Sequence, residues 1–353
     1  MQANATPGTG RDLGRLSLCI ALFSALLFGL NAIDCTAQNA VVVVGSGSSV
    51  PAPLYTRWAQ EYDKRNSSIQ LRYLPVGTVE GIKQISHGSG DFAAGEAQLT
   101  ETQRKEGGLI EVPVVLIGIV PVYNIPDVHT QLRLSGEILA SIFLGDIKFW
   151  NAPQIAKLNP DVPLPSLPIQ VIIRPAGKGS NYVFTDFLSK ASPKFRAEIG
   201  VSPSPKWPVG ESAERSADMA QKVKTTPGAV GYVEYQYAVK DSVSQAAVLN
   251  VSGRYVRASA ESIAAACQAV ESPQWNKFSA SLTNAPGAEA YPITSFTWVY
   301  LRSKPADSAR AAALNDLLDW MYSDGQRYAG QEGYPELPAP LLAAVKNKLK
   351  ELQ

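Results

Sequence analysis

Residues 41–62 read VVVVGSGSSVPAPLYTRWAQEY, and this stretch decides the fold class. The four leading valines form a short β-branched run of the kind that fills a buried parallel strand. A glycine- and serine-rich turn follows, and the apolar residues Leu54, Trp58 and Tyr62 then recur every four positions, as on one face of a helix. A strand, a turn and a helix in this order aim free main-chain N–H groups at an anion. We therefore expect an anion-binding turn after the first strand.

The same order of elements repeats along the chain. Strands are predicted at IQLRYLPV (69–76), DFAAGE (91–96), PVVLIGIVPVYN (113–124), IQVIIR (169–174), GAVGYVEY (228–235) and YPITSFTWVYL (291–301). Helices are predicted after residues 78 and 180, from within 134–150, over 307–323 and from about 341. Alternating strands and helices indicate an α/β fold with a largely parallel sheet in each half. The strand at 113–124 is long enough to cross from one half to the other.

The composition is that of an ordinary globular protein. The chain has 353 residues, of which 45% are apolar and 18% charged, and 32 Lys and Arg nearly balance 31 Asp and Glu. At about 150 residues per domain, this length suggests two domains. The near-neutral balance gives no electrostatic reason to expect nucleic acid or an anionic membrane as the main partner. Three cysteines and two histidines are too few for a zinc cluster or a disulfide framework, so neither a metal nor a cofactor is expected.

The first 37 residues are typical of a secretory signal peptide. Two arginines precede an uncharged, mostly apolar stretch at 16–33, and a small-residue segment follows it, so we expect cleavage after Ala37. The apolar stretch would also just span a bilayer, which leaves a retained anchor as the alternative. Lipid attachment at Cys35 is disfavoured because Asp34 precedes it, where lipoprotein sites have a small residue. The expected location of the mature chain is the periplasm.

The glycine turns carry no complete enzyme motif. GSGSSV (45–50) begins like a dinucleotide fingerprint, but a valine stands where the third glycine belongs. PAGKGS (175–180) resembles the end of the phosphate-cradling loop of an ATPase but lacks its earlier glycine. A serine nucleophile needs a base, for which the two histidines are the candidates. Neither fits this role, because His87 suits the end of a helix and His129 an exposed loop. Cys267 lies in an Ala-rich segment, where a cysteine is usually a small apolar filler.

Three turns remain as candidate parts of one site. They lie at 47–50, 77–79 and 177–180, and each places Ser or Thr and glycine before a helix. Any one of them alone would be interpreted as an ordinary helix N-cap. Three together, with Arg174 beside one and Glu96 at the end of another strand, favour a compact oxyanion site. Helix N-termini supply N–H donors and dipoles worth about 0.3–1 kcal/mol each, and an arginine adds a fork of charge-assisted hydrogen bonds.

Nine segments of the mature chain together match the pattern of one known family. In order they are GSGSSVPAPLYTRWAQEY (45–62), VGTVEGIKQI (76–85), DFAAGEAQLT (91–100), FLGDIKFWN (143–151), IAKLNP (155–160), RPAGKGSNYVFTDFL (174–188), KWPVG (206–210), PGAVGYVEYQYA (227–238) and YPITS (291–295). This pattern resembles the periplasmic phosphate-binding proteins of bacterial phosphate ABC importers. The resemblance implies a two-lobed periplasmic binding protein (type II) with a hinge, which closes on one phosphate in the cleft between its lobes. Lobe one would hold residues 38–117 and 293–353, and lobe two residues 118–292.

The resemblance also implies which residues bind the ligand. Carried over position by position, they are Ser49, Val50, Thr78, Glu96, Arg174, Lys178, Gly179 and Ser180. Ser49, Thr78 and Ser180 keep a hydroxyl where the family has one, and the arginine is retained as Arg174. Elsewhere the chain departs from the family pattern: Val50 replaces a phenylalanine, Lys178 a serine and Ala176 an aspartate.

The most consequential departure is Glu96, where the family has an aspartate that accepts a hydrogen bond from the phosphate's own proton. An ionised carboxylate accepts but does not donate. It therefore tolerates a protonated phosphate and repels fully ionised sulfate, with a discrimination of about a hundredfold or more. Glu96 has this role only if its extra methylene is accommodated, for which Val50 releases space. We expect the Lys178 side chain to point to solvent, which leaves its N–H for the ligand.

The implied function is high-affinity binding of inorganic phosphate and its delivery to the membrane permease subunits of a phosphate ABC importer. The protein is expected to be a monomer that binds no nucleic acid and catalyses no reaction. Two alternatives stay open at this point. One is a receptor retuned for another oxyanion, such as arsenate, phosphite or molybdate. The other is a phosphatase-like enzyme on the same scaffold, which the absence of a nucleophile–base pair disfavours.

Overall fold

The computed structural model describes residues 40–270, 278, 281–304 and 307–351. The predicted signal peptide at 1–37, with its cleavage site and Cys35, lies outside these residues. In the described part of the chain, no helix is both long and apolar enough to cross a membrane. The described residues pack as one compact unit.

The strands of the described residues form one large and one small sheet. They are β1 Val41–Gly47, β2 Ile69–Leu74, β3 Phe92–Gly95, β4 Leu109–Tyr123, β5 Arg133–Leu134, β6 Gln170–Ile173, β7 Glu211–Ser212, β8 Ala229–Glu234, β9 Ser244–Gln245, β10 Ala247–Leu249, β11 Tyr255–Val256 and β12 Thr294–Arg302. The large sheet has the order β2-β1-β3-β12-β4-β8-β6-β7, and β9 also pairs with β4. The small sheet has the order β11-β10-β5.

The antiparallel pair β4 and β12 forms the centre of the large sheet. β12 pairs with residues 109–118 of β4, and β8 pairs with residues 119–123, so β4 changes its partner in mid-strand. We call β2, β1, β3, β12 and the start of β4 the first half of the sheet, and the end of β4 with β8, β6 and β7 the second half. β1 is parallel to β2 and β3, and β6 is parallel to β7 and β8, as predicted for each half. The strands that link the halves are antiparallel, so the sheet as a whole is mixed.

The helices of the described residues follow most of the strands. They are α1 Ala52–Arg65, α2 Thr78–Ser86, α3 Glu101–Lys105, α4 Gly136–Phe143, α5 Pro153–Leu158, α6 Gly179–Ala191, α7 Pro193–Glu198, α8 Ser216–Thr225, α9 Tyr235–Lys240, α10 Ala260–Gln268, α11 Ser308–Met321, α12 Asp324–Gln331 and α13 Ala339–Lys350.

Each strand predicted from the sequence is present, with shifted ends. β4 begins at Leu109, earlier than predicted, because LIEV (109–112) also pairs with β12. The helix predicted from within 134–150 stops at Phe143, since Gly145 has a φ of 79° that ends the helical path. α12 was not predicted, because its sequence DGQRYAGQ contains two glycines and few apolar residues.

The apolar stripe of α1 is buried as predicted, with Leu54, Trp58 and Tyr62 all in the core. The stripe of α2 is only partly confirmed. Ile82 and Ile85 are buried, but Val79 is 42% exposed. Val79 lies in the first turn of α2, beside the turn that precedes α6, and therefore faces the candidate site rather than the core.

The side chains that the sequence assigned to structural roles are found in those roles. His87 is the C-cap residue of α2 and is exposed. His129 is exposed as well. Cys267 is fully buried in α10, and burial raises the pKa of its thiol to about 12. A thiol with this pKa is not a nucleophile at neutral pH.

Candidate anion-binding site

The three turns singled out in the sequence lie next to one another. The N–H of Gly77 donates to the carbonyl of Gly47 at 2.7 Å, which joins the second turn to the first. The N–H of Val79 donates to the carbonyl of Gly177 at 3.3 Å, which joins the second turn to the third. The third turn follows β6, so this bond connects the two halves of the sheet. The turns therefore form one cluster.

The turns meet because each follows the carboxyl end of a strand. β1, β2 and β3 are parallel, so their carboxyl ends lie at one edge, where open α/β sheets bind ligands. Glycines then let α2 approach this edge. A Cβ on Gly81 would lie 2.5 Å from the Cα of Gly47, and a Cβ on Gly95 would lie 2.4 Å from Cγ2 of Thr78. Any larger side chain at either glycine would push Thr78 away from the cluster.

The helices that begin at these turns have no side-chain N-cap among the described residues. The N-cap positions are Pro51 in α1, Gly77 in α2 and Lys178 in α6, and none of these side chains accepts from the first helical turn. Elsewhere Ser135 caps α4 and Asp307 caps α11. The Ser and Thr residues of the turns therefore do not act as caps. The N–H groups of Ala52 in α1 and Val79 in α2 donate to the carbonyls of Ser49 and Gly177. The other first-turn N–H groups of α1, α2 and α6 have no side-chain cap and are available to another acceptor.

Arg174 is a buried cation without an anionic partner among the described residues. Its side chain is 1% exposed, yet no described carboxylate lies within 4.0 Å of its guanidinium. Nη1 donates to Ser216 Oγ at 2.6 Å, and Nη2 donates to the Glu214 carbonyl at 3.0 Å and to Ser49 Oγ at 3.5 Å. Nε has no partner in the described part of the chain. Buried charges are normally paired, so this arrangement favours an external anion.

Glu96 is fully buried and contacts both halves of the sheet. Thr78 Oγ1 donates to its Oε2 at 3.0 Å, whereas Oε1 has no partner among the described residues. A Cβ built on Gly179, the first residue of α6, would lie 1.5 Å from Oε2 and 2.6 Å from Thr78 Oγ1. The Glu96 carboxyl therefore reaches the N-terminus of α6, and only glycine fits beside it there.

Burial raises the pKa of Glu96 from an ordinary value of 4.5 to about 8. Glu234 adds to this rise, whereas the hydroxyls of Ser48 and Thr78 and the guanidinium of Arg174 oppose it. Desolvation dominates because the carboxyl has no contact with water. At neutral pH Glu96 is therefore largely protonated in this arrangement, and not ionised as expected from the sequence. A protonated carboxyl can donate as well as accept.

Two more of the assigned residues lie in the cluster. Ser180 is 1% exposed, and its hydroxyl has no partner among the described residues. The N–H of Val50, which was assigned to the ligand, donates to Ser48 Oγ at 3.1 Å. The carbonyl of Val50 accepts from the buried Tyr334 Oη at 2.7 Å, which fixes the main chain at this residue.

Lys178 does not point to solvent as expected. Its side chain is only 15% exposed and forms an ion pair with Glu214. The position of a Cβ on Gly77 is 4.0 Å from Cδ of Lys178. The lysine stem therefore lies along the seam between the second and third turns, and its charge is balanced by a carboxylate of the same half.

Several residues that hold the site together were not found from the sequence. Ser216 and Glu214 contact Arg174 from about 40 positions away along the chain, without any motif around them. Tyr232 Oη accepts from the N–H of Arg174 at 3.1 Å and donates to Asn181 Oδ1. The signal for Tyr232 was its place in the predicted strand GAVGYVEY, but the strand pattern gave no reason to link it to Arg174.

The described residues contain no group of three or more His, Cys, Asp and Glu side chains that could hold a metal ion. The polar groups of the cluster are instead hydroxyls, main-chain N–H groups, one guanidinium and a carboxyl. Most of them donate hydrogen bonds, which suits a small anion with several acceptor oxygens.

Comparison with known proteins identifies the family. A family model described as the PBP superfamily domain matches residues 34–325. A phosphate-binding protein PstS of Pasteurella multocida is 33% identical over 334 residues, which cover 94% of this chain and 95% of that protein. The chain belongs to the PstS family within the PBP superfamily. The PstS of Haemophilus influenzae is also 33% identical, over 87% of this chain and 92% of its own.

Solved structures show the same fold. One is a high-affinity periplasmic phosphate-binding protein (PfluDING) bound with phosphate, with a TM-score of 0.69 and 20% identity over 87% of this chain and 93% of that one. Another is a putative phosphate ABC transporter substrate-binding protein from Clostridium perfringens with bound phosphate, with a TM-score of 0.62 and 19% identity over 84% of this chain and all of that one. The fold predicted from the sequence, a two-lobed periplasmic binding protein of type II, is thereby confirmed.

Proposed function

We propose that this protein binds inorganic phosphate outside the cytoplasmic membrane and delivers it to the permease of an ABC importer. The observation that carries the proposal is the buried Arg174 guanidinium, which has no described anionic partner and lies among three uncapped helix N-termini. The PstS relatives are named phosphate-binding proteins, and two proteins of similar fold have bound phosphate. A tetrahedral oxyanion would satisfy the guanidinium and the free N–H groups together.

The roles of the eight assigned residues follow from their chemistry. Arg174 supplies the charge, and the N–H groups of Gly179 and Ser180 lie at the positive end of the α6 dipole. The hydroxyls of Ser49, Thr78 and Ser180 donate to phosphate oxygens, as does the N–H of Val50 once it leaves Ser48. Glu96 faces the protonated oxygen of the ligand. Lys178 contributes its N–H, since its ammonium group is paired with Glu214.

We infer that the site closes around the ligand by a hinge. Residues 38–117 and 293–353 form lobe one, and residues 118–292 form lobe two. β4 and β12 connect the lobes. Between Gly118 and Ile119 the pairing partner of β4 changes from β12 to β8. A change in backbone angles at this point would rotate one lobe against the other. The Val79–Gly177 hydrogen bond forms only when the lobes are close.

Export and transport complete the proposal. The signal peptide at 1–37 directs the chain to the periplasm, where the mature protein acts as a monomer and meets the permease subunits. It is a binding protein and not an enzyme, in keeping with relatives that are named for binding. A phosphomonoesterase assay, with and without divalent metal ions, tests this last point. Turnover by the pure protein would contradict it.

Calorimetric titration of the ligand-stripped protein tests the central claim. We expect phosphate to bind with a Kd at or below about 1 μM, equivalent to about −8 kcal/mol, and arsenate, molybdate and sulfate to bind more weakly. Arg174→Ala should lose at least about a hundredfold in affinity, because it removes a charge-assisted fork. Arg257→Ala, which removes an exposed arginine outside the cluster, should bind like the wild type. Equal affinity of the two variants would refute the assigned site.

A further inference from the structure

Glu96 contacts two groups that the proposed function assigns to phosphate. Thr78 Oγ1 donates to its Oε2 at 3.0 Å, and the same oxygen lies against Gly179 at the start of α6. Thr78 belongs to the first half of the sheet and Gly179 to the second. One carboxyl oxygen therefore bridges the two sides of the cleft.

The length of the glutamate side chain makes this contact. Glu96 follows β3 directly and has one methylene more than an aspartate would have at this position. A Cβ on Gly179 would lie 1.5 Å from Oε2, so the carboxyl fills the space directly in front of the first residue of α6. The carboxyl thus lies beside the helix end whose dipole favours an anionic oxygen.

The protonation of Glu96 suits this position. Its pKa of about 8 leaves the carboxyl largely neutral at pH 7, so it occupies the cleft without repelling Glu234, the other carboxylate that raises its pKa. The remaining groups that interact with it electrostatically are Arg174 and the hydroxyls of Tyr55, Tyr73 and Tyr300. A neutral Glu96 carboxyl in the cleft leaves the charge of Arg174 uncompensated. A phosphate anion compensates this charge and can therefore displace the carboxyl.

We propose that Glu96 is an internal competitor for the phosphate position, whose carboxyl bridges the two halves of the sheet until phosphate displaces it. This inference rests on the proposed function. The apparent affinity is then the intrinsic affinity multiplied by the fraction of molecules in which Glu96 leaves the site free. If that free fraction is about one-tenth, the apparent affinity is about tenfold lower than the intrinsic one. This competition also means that the protein without phosphate is already mostly closed.

Glu96→Asp is the direct test, because the shorter side chain keeps the carboxyl but cannot reach Gly179. Calorimetry should show phosphate binding about tenfold tighter than in the wild type. Small-angle X-ray scattering without phosphate should show a larger radius of gyration than the wild type, and phosphate should contract the variant to wild-type size. Both results are required, and the absence of either one overturns the proposal.

Gly179→Ala tests the same contact from the other side. Its Cβ would occupy the position of Oε2, so the variant should also expand without phosphate, although its own phosphate site is altered. Glu96→Gln keeps the length of the side chain and should stay compact. Glu111→Asp shortens another buried glutamate, which pairs with Arg104 and lies away from the turns, and should change neither size nor affinity.

The small-angle X-ray scattering measurements without phosphate test this inference separately from the proposed function. If neither the wild type nor Glu96→Asp binds phosphate, the proposed function fails, but the sizes of the two proteins without phosphate still decide whether Glu96 bridges the cleft. If both bind phosphate with equal affinity, the proposed function stands and the internal competitor is refuted.

Discussion

Gly77 and Gly177 face each other across the two halves of the sheet. A Cβ on Gly77 would lie 3.2 Å from the carbonyl oxygen of Gly177, and the two residues have φ values of 102° and 86°. The N–H of Val79, two residues after Gly77, donates to the same Gly177 carbonyl at 3.3 Å. A Cβ on Gly177 would make an ordinary contact of 3.8 Å with the Cβ of Val79, so it is the missing side chain of Gly77 that lets the two main chains approach this closely.

The first prediction concerns Gly77→Ala. Gly77 has a φ of 102° and a ψ of 152°, a conformation essentially restricted to glycine, so alanine there destabilises the fold by about 1–3 kcal/mol. Its Cβ would also press on the Gly177 carbonyl and keep the lobes apart. Phosphate affinity measured by calorimetry should fall about tenfold or more. Gly88→Ala is the matched control, since Gly88 has a φ of 80° and no neighbour within 4 Å of its Cβ position. It should lose similar stability in urea denaturation but keep its affinity, and a parallel loss of affinity would refute the role of Gly77.

The second prediction concerns the pH dependence of stability. Burial raises the pKa of Glu96 to about 8, so between about pH 4.5 and pH 8 the folded protein binds a proton that the unfolded chain has released. The free energy of unfolding therefore decreases as the pH rises through this range, by up to about 5 kcal/mol. Urea denaturation without phosphate should show this slope in the wild type.

Glu96→Gln supplies the reference for that slope, because it removes the titrating proton and keeps the side-chain length. Glu111, whose pKa is also raised by burial, is common to both proteins. The difference between the two stability curves therefore isolates Glu96. Parallel curves would show that the pKa of Glu96 is not raised.

The third prediction concerns selectivity. Sulfate has no proton at these pH values and can bind only when Glu96 is protonated and donates to it. Because the pKa of Glu96 is about 8, the affinity for sulfate should fall about tenfold between pH 8 and pH 9.5, and the preference for phosphate should rise. Competition calorimetry at the two pH values measures this. Glu96→Gln should bind sulfate equally at both, and a constant preference in the wild type would contradict the donor role.

Much of the fold could be predicted because its decisive patterns are local. The run of valines in β1, the stripe of Leu54, Trp58 and Tyr62 and the glycine turns each depend on neighbours in the sequence, and each was found where predicted. Short elements such as β5 and α12 lack such a pattern. Val79 was misplaced because helical spacing does not show which helix ends face a cleft.

The sequence indicated which turns cluster, but it did not show their contacts. The turns were recognised from composition, whereas the neighbours of Arg174 come from segments about 40 residues away and have no motif. The protonation of Glu96 depends on burial, which a sequence does not show. The direction of Lys178 depends on Glu214, a carboxylate that only the fold brings close.

The fourth prediction follows from that ion pair. Glu214 is largely exposed and neutralises Lys178, whose side chain lies along the seam of the cleft. Glu214→Gln should leave the ammonium uncompensated near the bound anion and raise phosphate affinity at low salt. The gain in affinity should shrink between roughly 0.02 M and 0.5 M NaCl, because the Debye length falls below the distances that separate such groups.

Lys178→Met keeps much of the side-chain stem and should change the affinity less than about threefold, since the charge it removes is already paired. Calorimetry of both variants at the two salt concentrations decides the matter: a large loss in Lys178→Met would show that the ammonium itself contacts phosphate.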